Sequence, residues 1–155
     1  MSLGRNLGMN FPMNRPLLFP ALLLLGLLAG CTTYEAKVER GRSLEGVQRY
    51  FVQSNTNDNH AIDHQIAGAL QARGLAAGTG PLTMMPDETQ AIVTYQDHWT
   101  WDFGDRLVYL QLTVREQKTG KNYATVTFSA KVPTGKPLSA IVDELVGRVV
   151  PAGHP

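Results

Sequence analysis

Two segments of this sequence carry apolar residues on one helical stripe only, and this constrains the fold more than any other feature. The first stripe consists of Ile62, Ile66, Ala69 and Leu70. The second consists of Leu138, Ile141, Val142, Leu145 and Val149. A helix with a single apolar face must bury that face against another element. Both segments therefore require a sheet with an apolar face.

Four segments with alternating apolar residues supply such a sheet. The first covers residues 47–53, and the others begin near Ala91, Leu107 and Tyr123. The turn at residues 118–121 joins the last two, so the final three strands are expected to form an antiparallel meander. The sequence predicts an α+β fold, a two-layer sandwich with a four-stranded, mainly antiparallel sheet and two helices on one face.

The ends of the first helix carry recognisable signals. Asp58 or Asn59 can cap its start, because their side-chain oxygens accept hydrogen bonds from free backbone N–H groups. Gly74 is expected at the left-handed position after the last turn, with Leu75 folding back onto the helix.

The first thirty residues differ from the rest and are predicted to be a signal peptide. Arg5 and Arg15 are their only charged residues, and they precede a mostly apolar run at 17–29. This order is typical of export signals, and the run is shorter than the roughly 20 residues that a membrane-spanning helix needs. Three methionines are possible starts: Met1, Met9 and Met13.

Leu28-Ala29-Gly30-Cys31 resembles the bacterial lipobox. The resemblance implies cleavage before Cys31, a diacylglyceryl thioether on its sulfur and acylation of its new amino group. Two or three acyl chains anchor a protein stably, since each buried CH₂ contributes about 0.8 kcal/mol. The alternative is an ordinary secretory signal followed by a free thiol.

Thr32 follows the predicted anchor. In lipoproteins of the enteric type an Asp at that position retains the protein at the inner membrane, so the resemblance implies the periplasmic leaflet of the outer membrane. Residues 31–45 are charged and lack an apolar pattern, and they are predicted to be a tether. The domain is expected at 46–150, followed by a tail at 151–155.

Composition limits the partners. Cys31 is the only cysteine, so the domain is expected to depend on a packed core without a disulfide. Without Arg5 and Arg15, 12 of the 14 basic residues remain against 13 acidic ones, a net charge near −1. With no polybasic run in the sequence, we expect no nucleic-acid partner and a membrane attachment that rests on the lipid.

The order strand, helix, three strands, helix behind a lipobox resembles a family of small bacterial lipoproteins classified as a domain of unknown function. The likeness rests on residues 49–52, 62–75, 91–95 and 118–121. Tyr123 stands close to where the family usually has a Trp. The layout also resembles, in topology only, the lipoprotein partner of the lipopolysaccharide-assembly barrel. Neither resemblance implies an activity.

Trp99, Trp101 and Phe103 form the main candidate binding site. If exposed, such rigid aromatic rings would dock a protein partner or lie at the level of the lipid headgroups. The alternative is that the three rings cap the open end of the core.

His60 and His64, with Asp63 between them, offer two metal ligands at helical spacing. A third ligand would have to come from elsewhere: Asp97, His98 or His154. The alternative is a solvated helix start in which Asp63 favours the positive end of the helix dipole. We expect no metal and no cofactor.

Catalytic motifs are absent from the sequence. There is no G-x-S-x-G element, and residues 118–121 fit a hairpin turn better than a penicillin-binding element or a phosphate loop. We therefore expect a non-enzymatic, lipid-anchored periplasmic module that binds another envelope protein. The alternatives are a carrier of an apolar, lipid-like ligand and, third, a hydrolase or metal-binding protein.

Overall fold

The computed structural model describes residues 32–101, 104–132 and 134–150. The predicted signal peptide, the lipobox with Cys31, the aromatic Phe103 and the predicted tail at 151–155 lie outside the described residues.

The described residues form six strands and two helices. Their order is β1 (Thr32–Val38), β2 (Arg49–Gln53), α1 (Ile62–Gln71), β3 (Ala76–Gly80), β4 (Ala91–Thr100), β5 (Arg106–Glu116), β6 (Asn122–Ala130) and α2 (Leu138–Val149), with a 3₁₀ turn at Leu82–Met84. The sheet order is β1-β6-β5-β4-β2-β3. Strand β2 runs parallel to β3 and β4, and the other neighbours are antiparallel. The sheet is therefore mixed.

The predicted four-stranded, mainly antiparallel sheet is wrong, although the α+β class and the two helices are right. The two strands that the prediction missed are the edge strands. Strand β1 falls within residues 31–45, where Glu35 and Lys37 interrupt any apolar alternation. Edge strands often carry such charges, since these discourage unwanted pairing.

Strand β3 escaped prediction because its sequence, Ala-Ala-Gly-Thr-Gly, is poor in residues that favour strands. Its glycines serve the packing of Phe51 on the adjacent β2. A Cβ atom at Gly80 would lie 3.5 Å from the Phe51 ring, and one at Gly78 would lie 3.7 Å from it. The ring therefore covers the edge strand, and tertiary packing outweighs local preference.

The predicted meander of the last three long strands is confirmed, with register shifts between His98 and Trp99 in β4 and between Val114 and Arg115 in β5. His98 pairs with Tyr109, but the next residue, Trp99, pairs with Leu107. Val108 is thus an extra residue in β5, and such a bulge changes the face to which the following side chains point. As a result Leu107 is buried in the core beside β4.

Both helices pack on the same face of the sheet. The strand residues that share the core with them alternate along each strand: Tyr50, Val52, Val93, Tyr95, Leu110, Leu112, Val114, Val126 and Phe128. The helix residues in this core are Ile62, Ile66, Ala67, Leu70, Ile141, Val142, Leu145 and Val146. This arrangement buries both stripes against one apolar sheet face.

The end of α1 follows the predicted signals and connects to α2. Gly74 has a positive φ of 83°, and Leu75 donates its N–H back to the Leu70 carbonyl at 3.3 Å. The Arg73 guanidinium donates to the Asp143 carboxylate at 2.7 Å. This contact holds the last turn of α1 against α2.

Asp58, and not the N-cap residue Ala61, accepts hydrogen bonds from free backbone N–H groups at the start of α1. Its carboxylate accepts hydrogen bonds from the backbone N–H of His60 at 2.7 Å and of Ile62 at 2.6 Å. The Tyr95 hydroxyl, on β4, donates to the same carboxylate at 2.8 Å. Burial by itself raises the pKa of the Asp58 carboxyl, but these hydrogen bonds outweigh burial and hold the pKa below its ordinary value.

None of the helices in the described ranges is long and apolar enough to cross a membrane; the longer one, α2, has 12 residues.

Replacing Asp58 by Ala should lower the free energy of unfolding at pH 7 by about 1–2 kcal/mol, as for other helix caps. Because the folded-state pKa is lowered, the contribution is full above the ordinary carboxyl pKa of about 3.9 and is lost as the pH falls through the folded value. Urea unfolding at pH 7 and pH 3 measures this difference. Asn59→Ala is the control, and an equal loss there would contradict the assignment of the cap.

Candidate interaction surface

Four strands terminate at one end of the sheet. Strand β1 begins there and β6 ends there, with Thr32 paired to Ala130. Strand β4 ends and β5 begins at the same end, with Trp99 paired to Leu107. We call this the anchor end, because Thr32 directly follows Cys31 in the sequence.

Trp99 is held in place at the anchor end. Its indole N–H donates to the Asp97 carboxylate at 2.7 Å, and its ring stacks on the His60 ring with centroids 3.6 Å apart. The side chain is partly buried and packs against the core. Trp99 therefore covers the end of the core, as the alternative in the sequence analysis describes.

His60 links the start of α1 to the connection between β4 and β5. Its Nε2 lies 2.6 Å from the Asp105 carboxylate, and its ring lies on Trp99. Asp97 and Asp105 are thus both engaged by neighbouring side chains. The sequence predicts His60 as a metal ligand or as part of a solvated helix start. It gives no signal for the contact with Asp105, because the two partners lie 45 residues apart.

Trp101 differs from Trp99 in its exposure. It is 83% exposed, the highest value among the large apolar side chains of the described residues that are exposed. Phe103, the third member of the predicted aromatic site, lies outside the described residues. The structure therefore separates two tryptophans that the sequence had grouped: Trp99 packs on the core and Trp101 faces solvent.

Three basic residues from different parts of the chain lie at the anchor end. Arg106 begins β5, Lys131 follows β6 and Lys136 precedes α2, and all three are exposed. Val132, beside Lys131, is 60% exposed. An open groove of about 300 Å³ lies here. Its lining includes Trp99, Asp105, Arg106, Lys136 and Leu138.

The candidate metal ligands do not converge. Asp63 is buried and accepts a hydrogen bond from the Ser54 hydroxyl, whereas His64 is exposed. Within the described ranges, no group of three His, Cys, Asp or Glu side chains could hold a metal ion. His154 lies outside those ranges.

The space between the helices and the sheet does not accommodate a lipid-like ligand. The cavity there measures about 10 Å³ and is lined by core residues such as Tyr50, Ile66 and Val146. A cavity that holds a single water molecule needs roughly 10–15 Å³ on this measure. The carrier alternative therefore has no binding cavity in this part of the described domain.

The polar groups near the start of α1 are engaged in structural contacts. Ser54 donates to Asp63, and Tyr95 donates to Asp58. Burial, together with the neighbouring Asp58 carboxylate, raises the pKa of the Tyr95 hydroxyl, so this group stays protonated.

The turn at 118–121 is a hairpin turn as predicted, with Gly120 at a positive φ of 68°.

Comparison with known proteins gives a likeness of fold. Neither a protein-family model nor a curated protein matches the sequence. The PelC dodecamer from Paraburkholderia phytofirmans has a TM-score of 0.52 at 14% identity, over 77% of this chain and 94% of that chain. A point variant of the same dodecamer gives 0.53 at 15% identity with the same coverage. At this identity the similarity shows a shared fold.

A minor lipoprotein from Acinetobacter baumannii is more distant. Its TM-score is 0.34 at 11% identity, over 66% of this chain and 88% of that chain.

The different contacts of the two tryptophans predict different effects on stability. Trp99→Ala should lower the free energy of unfolding by about 2–4 kcal/mol, because it removes a partly buried ring from the core. Trp101→Ala should change it by less than about 0.5 kcal/mol, since the ring is exposed. Urea unfolding of both variants measures the difference. A comparable loss for Trp101→Ala would show that its ring belongs to the core.

Proposed function

We propose that this protein is a lipid-anchored, non-catalytic interaction module at the periplasmic leaflet of a bacterial outer membrane. One observation carries the proposal: β1 spans Thr32–Val38, so the sheet directly follows the residue predicted to carry the lipid. The predicted cleavage site thus lies one residue before the first described strand. A secretory signal with an incidental thiol gives no reason for a cysteine at this position.

The direct connection places the domain against the bilayer. One extended residue spans at most about 3.6 Å. With the lipid on Cys31, the first sheet residue would lie within a few ångströms of the membrane surface. Such a protein acts at the membrane and does not sample the periplasm on a long tether.

We propose that the partner is an envelope protein that pairs with the edge of β1. Among the described strands, β1 pairs only with β6, so the other edge of its seven residues faces outward. Such an edge can accept a strand from a partner. The PelC structures of similar fold are dodecamers, which makes copies of this chain the first partner to test.

The absence of catalysis is part of the proposal. In the described residues the Ser54 hydroxyl bonds Asp63, and the His60 ring bonds Asp105, so hydroxyl and imidazole do not form a relay. Membership of the small lipoprotein family that the sequence resembles is likewise proposed, on the basis of the lipobox and the order of elements around it.

Metabolic labelling tests the anchor. The wild-type protein should incorporate labelled palmitate and fractionate with the outer membrane on a density gradient. Cys31→Ser should lose the label and keep its signal peptide, because the thioether cannot form. Thr33→Ser is the control and should behave as wild type. A Cys31→Ser protein that still matures and stays with membranes would contradict the proposal.

Photo-crosslinking in the native envelope tests the partner. A crosslinking side chain at Lys37 in β1 should give adducts, and self-association would appear as a ladder with steps of the chain's own mass. The same group at the exposed turn residue Lys118 should give far fewer adducts. If Lys37 yields no adduct while the protein is anchored, edge pairing is wrong.

A further inference from the structure

We propose that the anchor end contacts the bilayer itself: Trp101 lies at the level of the lipid headgroups, and Arg106, Lys131 and Lys136 bind anionic phospholipids. This inference rests on the proposed function, because it requires the lipid on Cys31.

The topology brings Trp101 to the membrane side. Strand β1 starts at the anchor end and runs away from it, while β4 ends there just before Trp101. Three strand spacings of about 4.8 Å separate β1 from β4, so the ring lies within roughly 15 Å of the anchored strand across the sheet. The opposite end, at the turn 118–121, is roughly 30 Å away along β5.

The exposed side chains at the anchor end match an interfacial environment. Trp101 is 83% exposed and Val132 is 60% exposed, and both follow strands that end there. Trp favours the membrane interface because its ring is apolar and its N–H can bond headgroups or water. The stacked pair of Trp99 and His60 provides a fixed base beneath this surface.

The charges at this end are complementary to anionic headgroups. Arg106 and Lys131 form no ion pair within the described ranges, and Lys136 lies over the Tyr34 ring at 5.3 Å. The described carboxylates nearby each have a hydrogen-bond partner: Asp97 accepts from Trp99, and Asp105 lies against the His60 ring. The three exposed bases outnumber these two carboxylates, although the mature chain is slightly acidic.

A bilayer fits this surface better than a protein partner does. With β1 following the anchor without a linker, the anchor end and the membrane surface lie too close together for a folded partner to enter between them. The exposed apolar side chains there would otherwise remain in water next to a lipid phase.

The test uses the full lipidated protein in vesicles of phosphatidylcholine with phosphatidylglycerol. Flotation with the vesicles measures whether the protein is anchored. Fluorescence quenching measures the position of the Trp101 ring, since acrylamide quenches from the water and brominated lipid quenches from the bilayer. The chain has two tryptophans, so the difference between wild type and Trp101→Phe isolates Trp101 without disturbing Trp99. A second reporter at the far end, Lys118→Trp in the Trp101→Phe protein, is the matched control.

In vesicles, we expect the Trp101 fluorescence to shift to shorter wavelength and to be quenched by brominated lipid. Its quenching by acrylamide should be several-fold weaker than in the non-lipidated protein in detergent-free solution. The far-end reporter should keep its sensitivity to acrylamide.

Removal of charge tests the second half of the inference. The anchor-end variant is Arg106→Gln with Lys131→Gln and Lys136→Gln. The control, with the same number of charges removed at the far end, is Arg40→Gln with Lys118→Gln and Lys121→Gln. The first variant should restore the acrylamide sensitivity of Trp101 on anionic vesicles, and the second should not.

The outcomes are distinguishable. If the protein does not float, the anchor is absent, and the proposed function fails together with this inference. If it floats but Trp101 remains accessible to acrylamide, the membrane contact alone is wrong. Trp101 could be shielded in the native envelope but not in vesicles that contain this protein alone. That result would assign the surface to a protein partner and would also overturn the lipid contact.

Discussion

Burial of two one-sided helices against one face of the sheet is the interaction on which the rest of this structure depends. Ile66, Leu145 and Phe128 are completely buried where helices and sheet meet. The chain has no second cysteine with which to form a disulfide, so burial of these side chains must supply most of its stability. Since the helices cover one face only, the sheet edges and the sheet ends remain available for contacts with other molecules.

Because β1 pairs with β6, a lipid attached just before β1 would constrain the orientation of the whole sheet. Seven residues of β1 align with β6 from Thr32 to Val38. A lipid on Cys31 would therefore hold the sheet itself, and not a flexible segment in front of it. The orientation of the domain then becomes a property of the fold, and the side chains at the anchor end acquire a defined position relative to the bilayer.

The sequence predicts those elements of the fold whose apolar residues recur at helical or strand spacing or whose turns carry recognisable turn residues. Both helices, the hairpin at Gly120 and the meander follow from stripes, alternation and turn residues. The edge strands were missed because charge in β1 and glycine in β3 conceal them, and only their neighbours fix them. For the aromatic site, Trp99 and Trp101 look equivalent in sequence. Their difference arises from Asp97 and His60, and the contact with His60 requires the folded chain.

The bases at the anchor end explain how a chain without a polybasic run can still have a preferred orientation on a membrane. Three basic side chains near an anionic surface contribute roughly 3 kcal/mol in total. That is too little to retain a protein at a membrane, a task that two acyl chains on Cys31 would fulfil under the proposed function. It is enough to favour one orientation by about a hundredfold, since each 1.4 kcal/mol is a factor of ten. If both proposals hold, the lipid determines whether the domain is bound. Trp101 with Arg106, Lys131 and Lys136 then determines which surfaces, including the edge of β1, a partner can reach.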